Sequence, residues 1–152
     1  TSQSMQDIVW LIQRGDTGLR DLVTRMRRAT EVMLGNEVVS LSVKPAESPN
    51  RKVSLFFRRH VFFAFKEALN NVRKHAGARS VEVNVAIGER ELSFEIRDDG
   101  VGFDPQEVAD LGNGLKNLRQ RAERLSGSFR VESAPGGGTS IFFTAPLNSD
   151  LK

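Results

Sequence analysis

A chain of 152 residues, 39% hydrophobic and 27% charged, can bury one good core, and a net charge of +3 is modest for its size. Cysteine is absent, which removes disulfide frameworks and thiolate metal sites. No apolar run approaches the roughly 20 residues that span a bilayer and no secretory signal pattern is present, so the module has cytosolic character. The chain opens at Thr1-Ser-Gln-Ser, without an initiator methionine, and reads as a segment of something longer. Arg25, Arg27, Arg28, Arg51, Lys52, Arg58 and Arg59 cluster in the first half. No interleaved aromatic platform accompanies them, so direct nucleic-acid binding is not expected.

The first predicted element is an apolar helix from about Ser4 to Gln13 with Met5, Ile8, Val9, Leu11 and Ile12 around Trp10. Asp16 is placed to cap a second helix, on which Leu19, Leu22, Val23, Met26, Met33 and Leu34 form a stripe that ends near Gly35. Nothing local is seen to bury that stripe, so it is expected to meet another helix, from a partner chain or a missing segment. Glu37–Val43 reads as a strand and Lys44–Asn50 as a loop with two prolines. A long helix from about Val53 to His75, ended by Gly77, carries Phe56, Phe57, Phe62, Phe63 and Phe65 and is expected at the centre of the core.

Two strands follow, Ser80–Ile87 and Leu92–Arg97, with Val81, Val83, Val85 and Ile87 on one face and Gly88-Glu-Arg as the turn. A glycine-bearing loop from Asp98 to Gly114 leads into a helix of about Leu115 to Leu125, closed by Ser126-Gly127. The last hairpin pairs Ser128–Val131 with Thr139–Ala145 around Pro135-Gly-Gly-Gly138. The order β, α, β, β, α, β, β, with hairpin joints, predicts a mixed, mainly antiparallel sheet covered by helices on one face. The fold class is therefore an α/β (α+β) two-layer sandwich with an N-terminal helical appendage, residues 1–35 standing apart from a domain of residues 36–152.

Four short motifs carry chemistry. In Glu67-Ala-Leu-Asn-Asn71-x-x-Lys74-His75, Glu67 and Asn71 lie four apart on one helix face with Lys74 three further. A carboxamide oxygen suits Mg²⁺, and a lysine adds a cation beside phosphates. Asp98-Asp-Gly100-Val-Gly102-Phe-Asp104 puts a carboxylate after a strand, where it can accept from an adenine amine, with Gly100 and Gly102 allowing close backbone approach. Gly112-Asn-Gly114-Leu115 enters a helix and offers backbone amides to phosphate, behind a mobile cover from Phe103 to Leu111. Gly136-Gly-Gly-Thr139 adds a hydroxyl after a glycine turn. Each segment also has an ordinary reading, as an exposed helix face, an Asp-Asp-Gly turn or a hairpin tip. In this order they make a nucleotide site.

The ordered set resembles the N, G1, G2 and terminal Gly-Thr boxes of sensor histidine kinases, and more widely the superfamily that holds heat-shock chaperones, type II topoisomerases and mismatch-repair ATPases. Glu-Ala-Leu-x-Asn-Val-x-Lys-His, with a short lid and Arg119, Arg121 and Glu123 after Gly-x-Gly-Leu, is similar to the subgroup that pairs with helix-turn-helix response regulators. The resemblance covers about residues 53–147. It implies the Bergerat ATPase fold, with ATP and Mg²⁺ as cofactors between the long helix and the lid. It assigns Asn71 to the metal, Asp98 to the adenine amine, Thr139 to the adenine pocket and Lys74 to phosphate. Glu67 would lie beside the metal and the γ-phosphate, orienting water or assisting proton removal. His75 and the glycines Gly100, Gly102, Gly112 and Gly114, with Leu115, would complete the ATP-binding set.

Residues 1–35, with Asp7-Ile-Val-Trp10, Leu19-x-x-Leu22 and Arg25-Met-Arg27, are similar to the region after a phosphoacceptor helix. The partners implied are a response-regulator receiver domain and a second copy joined through N-terminal helices. The location implied is a cytoplasmic domain, with inner-membrane anchoring of the full-length protein left open. One feature departs from the family pattern: the acceptor histidine is missing. His60 has no acidic neighbour and His75 belongs to the N box, so the chain should bind ATP without phosphorylating itself. The alternatives are a stand-alone kinase of this fold acting on serine, as anti-sigma factors do, or a degenerate nucleotide-binding scaffold.

Overall fold

The computed structural model describes Met5 and residues 8–11, 17–35, 38–45, 51–76, 80–104 and 113–147. Helix α1 (Leu19–Met33) is followed by strand β2 (Val38–Lys44), and a short strand β1 (Thr17–Gly18) pairs antiparallel with β3 (Lys52–Val53). Helix α2 (Leu55–Asn71) runs into a π-helical turn, Val72–Ala76. Strands β4 (Ser80–Ile87) and β5 (Glu91–Asp98), helix α3 (Asn113–Arg124) and strands β6 (Ser128–Ser133) and β7 (Thr139–Pro146) complete the order. The main sheet runs β2-β4-β5-β7-β6. Only β2 and β4 pair parallel, as a crossover through a helix requires; the remaining neighbours are antiparallel.

Alternation decides which face of the sheet is buried. Val81, Val83 and Val85 of β4, Leu92, Phe94 and Ile96 of β5, and Ile141, Phe143 and Ala145 of β7 point to the helices. Helix α2 is the centre of that layer, with Phe57, Val61, Phe62, Ala64, Phe65, Ala68 and Leu69 buried. Phenylalanine and valine are poor helix formers, so burial and the cap hold this helix. Ser54 is the N-cap, its Oγ accepting from the Phe57 N–H at 3.1 Å. Phe65 stands edge-on to Phe94 at 5.1 Å, and Phe94 stacks on Phe143 at 4.9 Å, joining α2 to the middle of the sheet.

Several expected boundaries move. Val53 belongs to β3, not to the long helix, and the α-helix stops at Asn71, where the π turn begins. The N-cap of α1 is Gly18, without a side-chain cap bond, rather than Asp16. Gly35 lies just past α1 without the left-handed backbone of a glycine cap; the Leu34 N–H closes on Thr30 O. Gly77, and the expected stretches 4, 6–7 and 12–16, lie outside the described residues.

The largest correction concerns the stripe on α1. Leu19, Leu22, Met26 and Leu34 are fully buried in the same cluster as α2, so the chain itself supplies the surface that a partner helix was expected to provide. Trp10 is 2% exposed; it donates to Asp21 Oδ2 at 2.6 Å and stands edge-on to Phe62 at 5.5 Å. Arg58, expected on a basic surface, is fully buried with its guanidinium 5.6 Å from the Trp10 ring centroid. Arg59 donates to Leu11 O and Arg51 to Glu89 O, which spends two more of those cations on internal contacts.

Candidate functional site

The site begins where the buried face of the sheet runs out. Asp98 takes the next core-facing position of β5 after Leu92, Phe94 and Ile96, and it is 6% exposed. In register it lies opposite Thr139 of β7, which lies opposite Ser133 of β6. Directly paired residues share a face, so three polar side chains line one end of an apolar sheet. Burial pushes the Asp98 carboxyl up, and backbone N–H groups of Gly100 and Thr139 pull it back toward the ionised form. The Gly100 bond to Asp98 Oδ1 is 2.8 Å.

Two loops lock together around this carboxylate. The Gly136 N–H donates to Val101 O at 2.6 Å, and the Phe103 N–H donates to Ser133 Oγ at 2.9 Å. Ser133 Oγ also donates to Gly138 O at 2.9 Å and lies 2.8 Å from Thr139 Oγ1. Gly102 has φ +64°, and a Cβ there would collide with Ala134 O. The Asp98–Asp104 segment and the Gly136–Thr139 tip are therefore one unit, packed so closely that glycine is required on both sides.

The other half of the site is the α2–α3 seam. Glu67 is half-buried, and its Oε1 accepts from Asn117 Nδ2 at 3.4 Å. A Cβ on Gly114 would lie 3.6 Å from the Glu67 carboxyl carbon, so the first turn of α3 lies against that carboxylate. Asn71 closes α2 one turn beyond Glu67 and is half-buried. The π turn follows immediately. Its i→i+5 winding interrupts the spacing that was expected to carry exposed Lys74 along the Glu67–Asn71 stripe. Asn70 faces elsewhere, accepting from Arg73 Nη2 at 2.7 Å. Leu115 is buried, so its side chain anchors α3 in the core.

The structure thus joins Asp98, Gly100, Gly102 and Thr139 in one cluster, and Glu67, Gly114 and Leu115 on the seam. Gly112, the expected cover from 105 to 111 and the side chain of His75 lie outside the described residues. Ser133 and Asn117 also line the site, though neither belongs to one of the four motifs. Counting back across the hairpin from Thr139 finds the first, and a step of three from Gly114 along α3 finds the second. His60 is tied into the seam by Arg121, with Nδ1 and Nη1 3.1 Å apart. Burial, then Arg121, Arg124 and Arg59, lower its pKa and favour the neutral imidazole.

A family model described as histidine kinase-, DNA gyrase B-, and HSP90-like ATPase matches residues 58–149. The sensor protein VraS of Staphylococcus epidermidis is 29% identical over 133 residues, covering 88% of this chain and 35% of VraS. VraS of Staphylococcus aureus gives the same identity and coverage. The chain therefore spans about a third of the length of these relatives. Among solved structures, the histidine kinase domain of the Erythrobacter litoralis EL346 blue-light activated histidine kinase aligns with a TM-score of 0.64 at 18% identity, covering 85% of this chain and 60% of that one. The Acinetobacter baumannii histidine kinase AdeS aligns with a TM-score of 0.65 at 15% identity, covering 97% and 78%. At such identities these two structures speak for the fold.

Proposed function

The chain belongs to the histidine kinase-, DNA gyrase B- and HSP90-like ATPase family, which implies ATP binding, and from that premise we propose that it is the catalytic domain of a two-component sensor histidine kinase. The γ-phosphoryl of ATP passes to a histidine outside residues 1–152, and then to an aspartate in the receiver domain of a response regulator. One observation carries the nucleotide reading: a buried carboxylate, Asp98, ends the core face beside the hydroxyls of Thr139 and Ser133. A carboxylate partly desolvated there accepts strongly from an amine donor, and adenine presents one.

On this reading Asp98 receives the adenine amine, Thr139 completes the adenine pocket, and Gly100 and Gly102 let the backbone approach the ring. Gly112, Gly114 and Leu115 bring the entry of α3 to the phosphates, and Lys74 and His75 add contacts at the end of the π turn. The donor set fits Mg²⁺, because Asn71 offers a hard carboxamide oxygen one turn from a carboxylate and leaves coordination room for water and phosphate. When bound, the ion neutralises phosphate charge. Glu67 supplies a base or a water-orienting group on the same helix face. His60 is not the acceptor on this reading, since the charges that act on it are those of Arg121, Arg124 and Arg59 and its Nδ1 lies 3.1 Å from Arg121 Nη1.

The names of the VraS relatives favour a sensor kinase over a stand-alone serine kinase. Trp10, Leu19, Leu22, Met26 and Leu34 are buried within the chain and so do not bear on that choice, while Met5, Ile8 and Val9 of the N-terminal segment are exposed. The receiver domain of a response regulator as partner, a second subunit and any inner-membrane anchor of a longer protein belong to this proposal. Among the described residues, no helix is long and apolar enough to cross a membrane. Asn71→Ala should abolish Mg-ATP binding in calorimetry while leaving the circular dichroism spectrum intact. Undiminished binding by that variant would remove Asn71 from the metal.

A further inference from the structure

Along α2, Phe56, His60, Phe63 and Glu67 recur at intervals of four, three and four, which makes them one stripe. Helix α3 answers with Gly114, Asn117 and Arg121 at intervals of three and four. The pairs interlock in order. Arg121 meets His60 at 3.1 Å and lies 5.0 Å from the Phe63 ring centroid, Asn117 meets Glu67 at 3.4 Å, and Gly114 lies against the Glu67 carboxyl carbon. The carboxylate that the proposed function makes a base is thus held from the neighbouring helix by a neutral amide donor. An arginine in that place would lock it into an ion pair, and an apolar side chain would leave its rotation free.

Resting on the kinase reading above, we infer that Asn117 is a positioning residue for phosphoryl transfer: its amide fixes the rotamer of Glu67, and Arg121 keeps the two helices in the register that brings Asn117 opposite Glu67. A distance of 3.4 Å is long for such a bond, as is common for catalytic hydrogen bonds before substrate binds. Since α3 begins at Asn113, the orientation of Glu67 depends on where the first turn of α3 stands.

The test uses the longer kinase that carries this segment and its acceptor histidine, with phosphohistidine formation followed at varied ATP. Asn117→Ala should lower kcat roughly tenfold to a hundredfold with KM for ATP nearly unchanged. Asn117→Asp has the same shape but sets one carboxylate against another, so it should fall below the alanine variant. Asn117→Gln, which keeps the donor on a longer arm, should retain most of the rate. Thermal midpoints and ATP affinity, measured on each variant, show that each is folded. A wild-type kcat for Asn117→Ala overturns the inference. So does a loss that follows the thermal midpoint alone, with aspartate no worse than alanine. If the unmodified kinase binds no ATP or forms no phosphohistidine, it is the functional reading that falls.

Discussion

At Gly138 the backbone stands at φ +72°, and the carbonyl oxygen of Asp98 occupies the place a Cβ would take. Gly136, two residues earlier, shares the conformation at φ +78° but has open space around it. Left-handed backbone costs an L-residue about 1 kcal/mol or somewhat more, whereas overlap with a carbonyl forces the two loops apart. Gly136→Ala should therefore lose about 1 kcal/mol in urea denaturation and keep its nucleotide affinity. Gly138→Ala should lose about 3 kcal/mol and weaken ATP binding at the same time, because the displaced atom belongs to Asp98. Equal losses at the two positions would show that conformation alone sets the requirement. The same neighbourhood marks what was legible in the site. Asp98, Thr139 and the glycines stood out as motif positions. Their mutual packing did not, because it depends on the register that puts Thr139 between Asp98 and Ser133. Asn117 was hidden for a related reason: a polar residue on a helix gains its meaning from the helix across the seam.

Among the elements, the seam of α2 and α3 also holds a titratable group. His60 Nδ1 faces Arg121, with Arg124 on the same helix and Arg59 on its own, and Phe56 covers its ring edge-on at 4.4 Å. Its pKa in the folded protein lies below the ordinary 6.5. Between that lowered value and 6.5 the unfolded chain binds more protons, so stability rises with pH across this window and is lost on acidification. Thermal midpoints at pH 7.5 and pH 5.5 should fall further in the native protein than in His60→Gln, which cannot protonate. Parallel slopes would place the acid sensitivity elsewhere. Strand alternation made β4 and β5 legible within a residue of their ends, because each presents one face to a core. What stayed hidden was non-local. The β1–β3 ribbon consists of two-residue strands, Thr17–Gly18 and Lys52–Val53, far apart in sequence and too short for any pattern. At the end of α3 the left-handed residue is Ser126, at φ 59°, while Gly127 is required because a side chain would strike Thr144 O. A sequence shows both residues and not which constraint falls on which.

Across the whole molecule, the consequence of the α1 packing is cooperativity. An appendage awaiting a partner would unfold on its own; a helix sharing its buried face with α2 unfolds with the domain. Leu19, Leu22 and Met26 lie in one cluster with Phe57, Phe62 and Phe65, and the Leu19 N–H donates to Arg51 O at 2.7 Å, tying the start of α1 to the residue just before β3. The chain has a single tryptophan, and Trp10 sits at this junction against Asp21, Arg25, Arg58 and Phe62. Its fluorescence reports the N-terminal layer, while far-ultraviolet circular dichroism sums over the helices and the sheet of the whole chain. Leu22 is fully buried, so Leu22→Ala should cost about 2–5 kcal/mol. Both signals should shift to the same lower denaturant midpoint, because the lost contacts belong to a core common to both layers. Fluorescence that changes well before the dichroism, in the native protein or in the variant, would separate residues 1–35 from the domain and restore the need for another helix against α1.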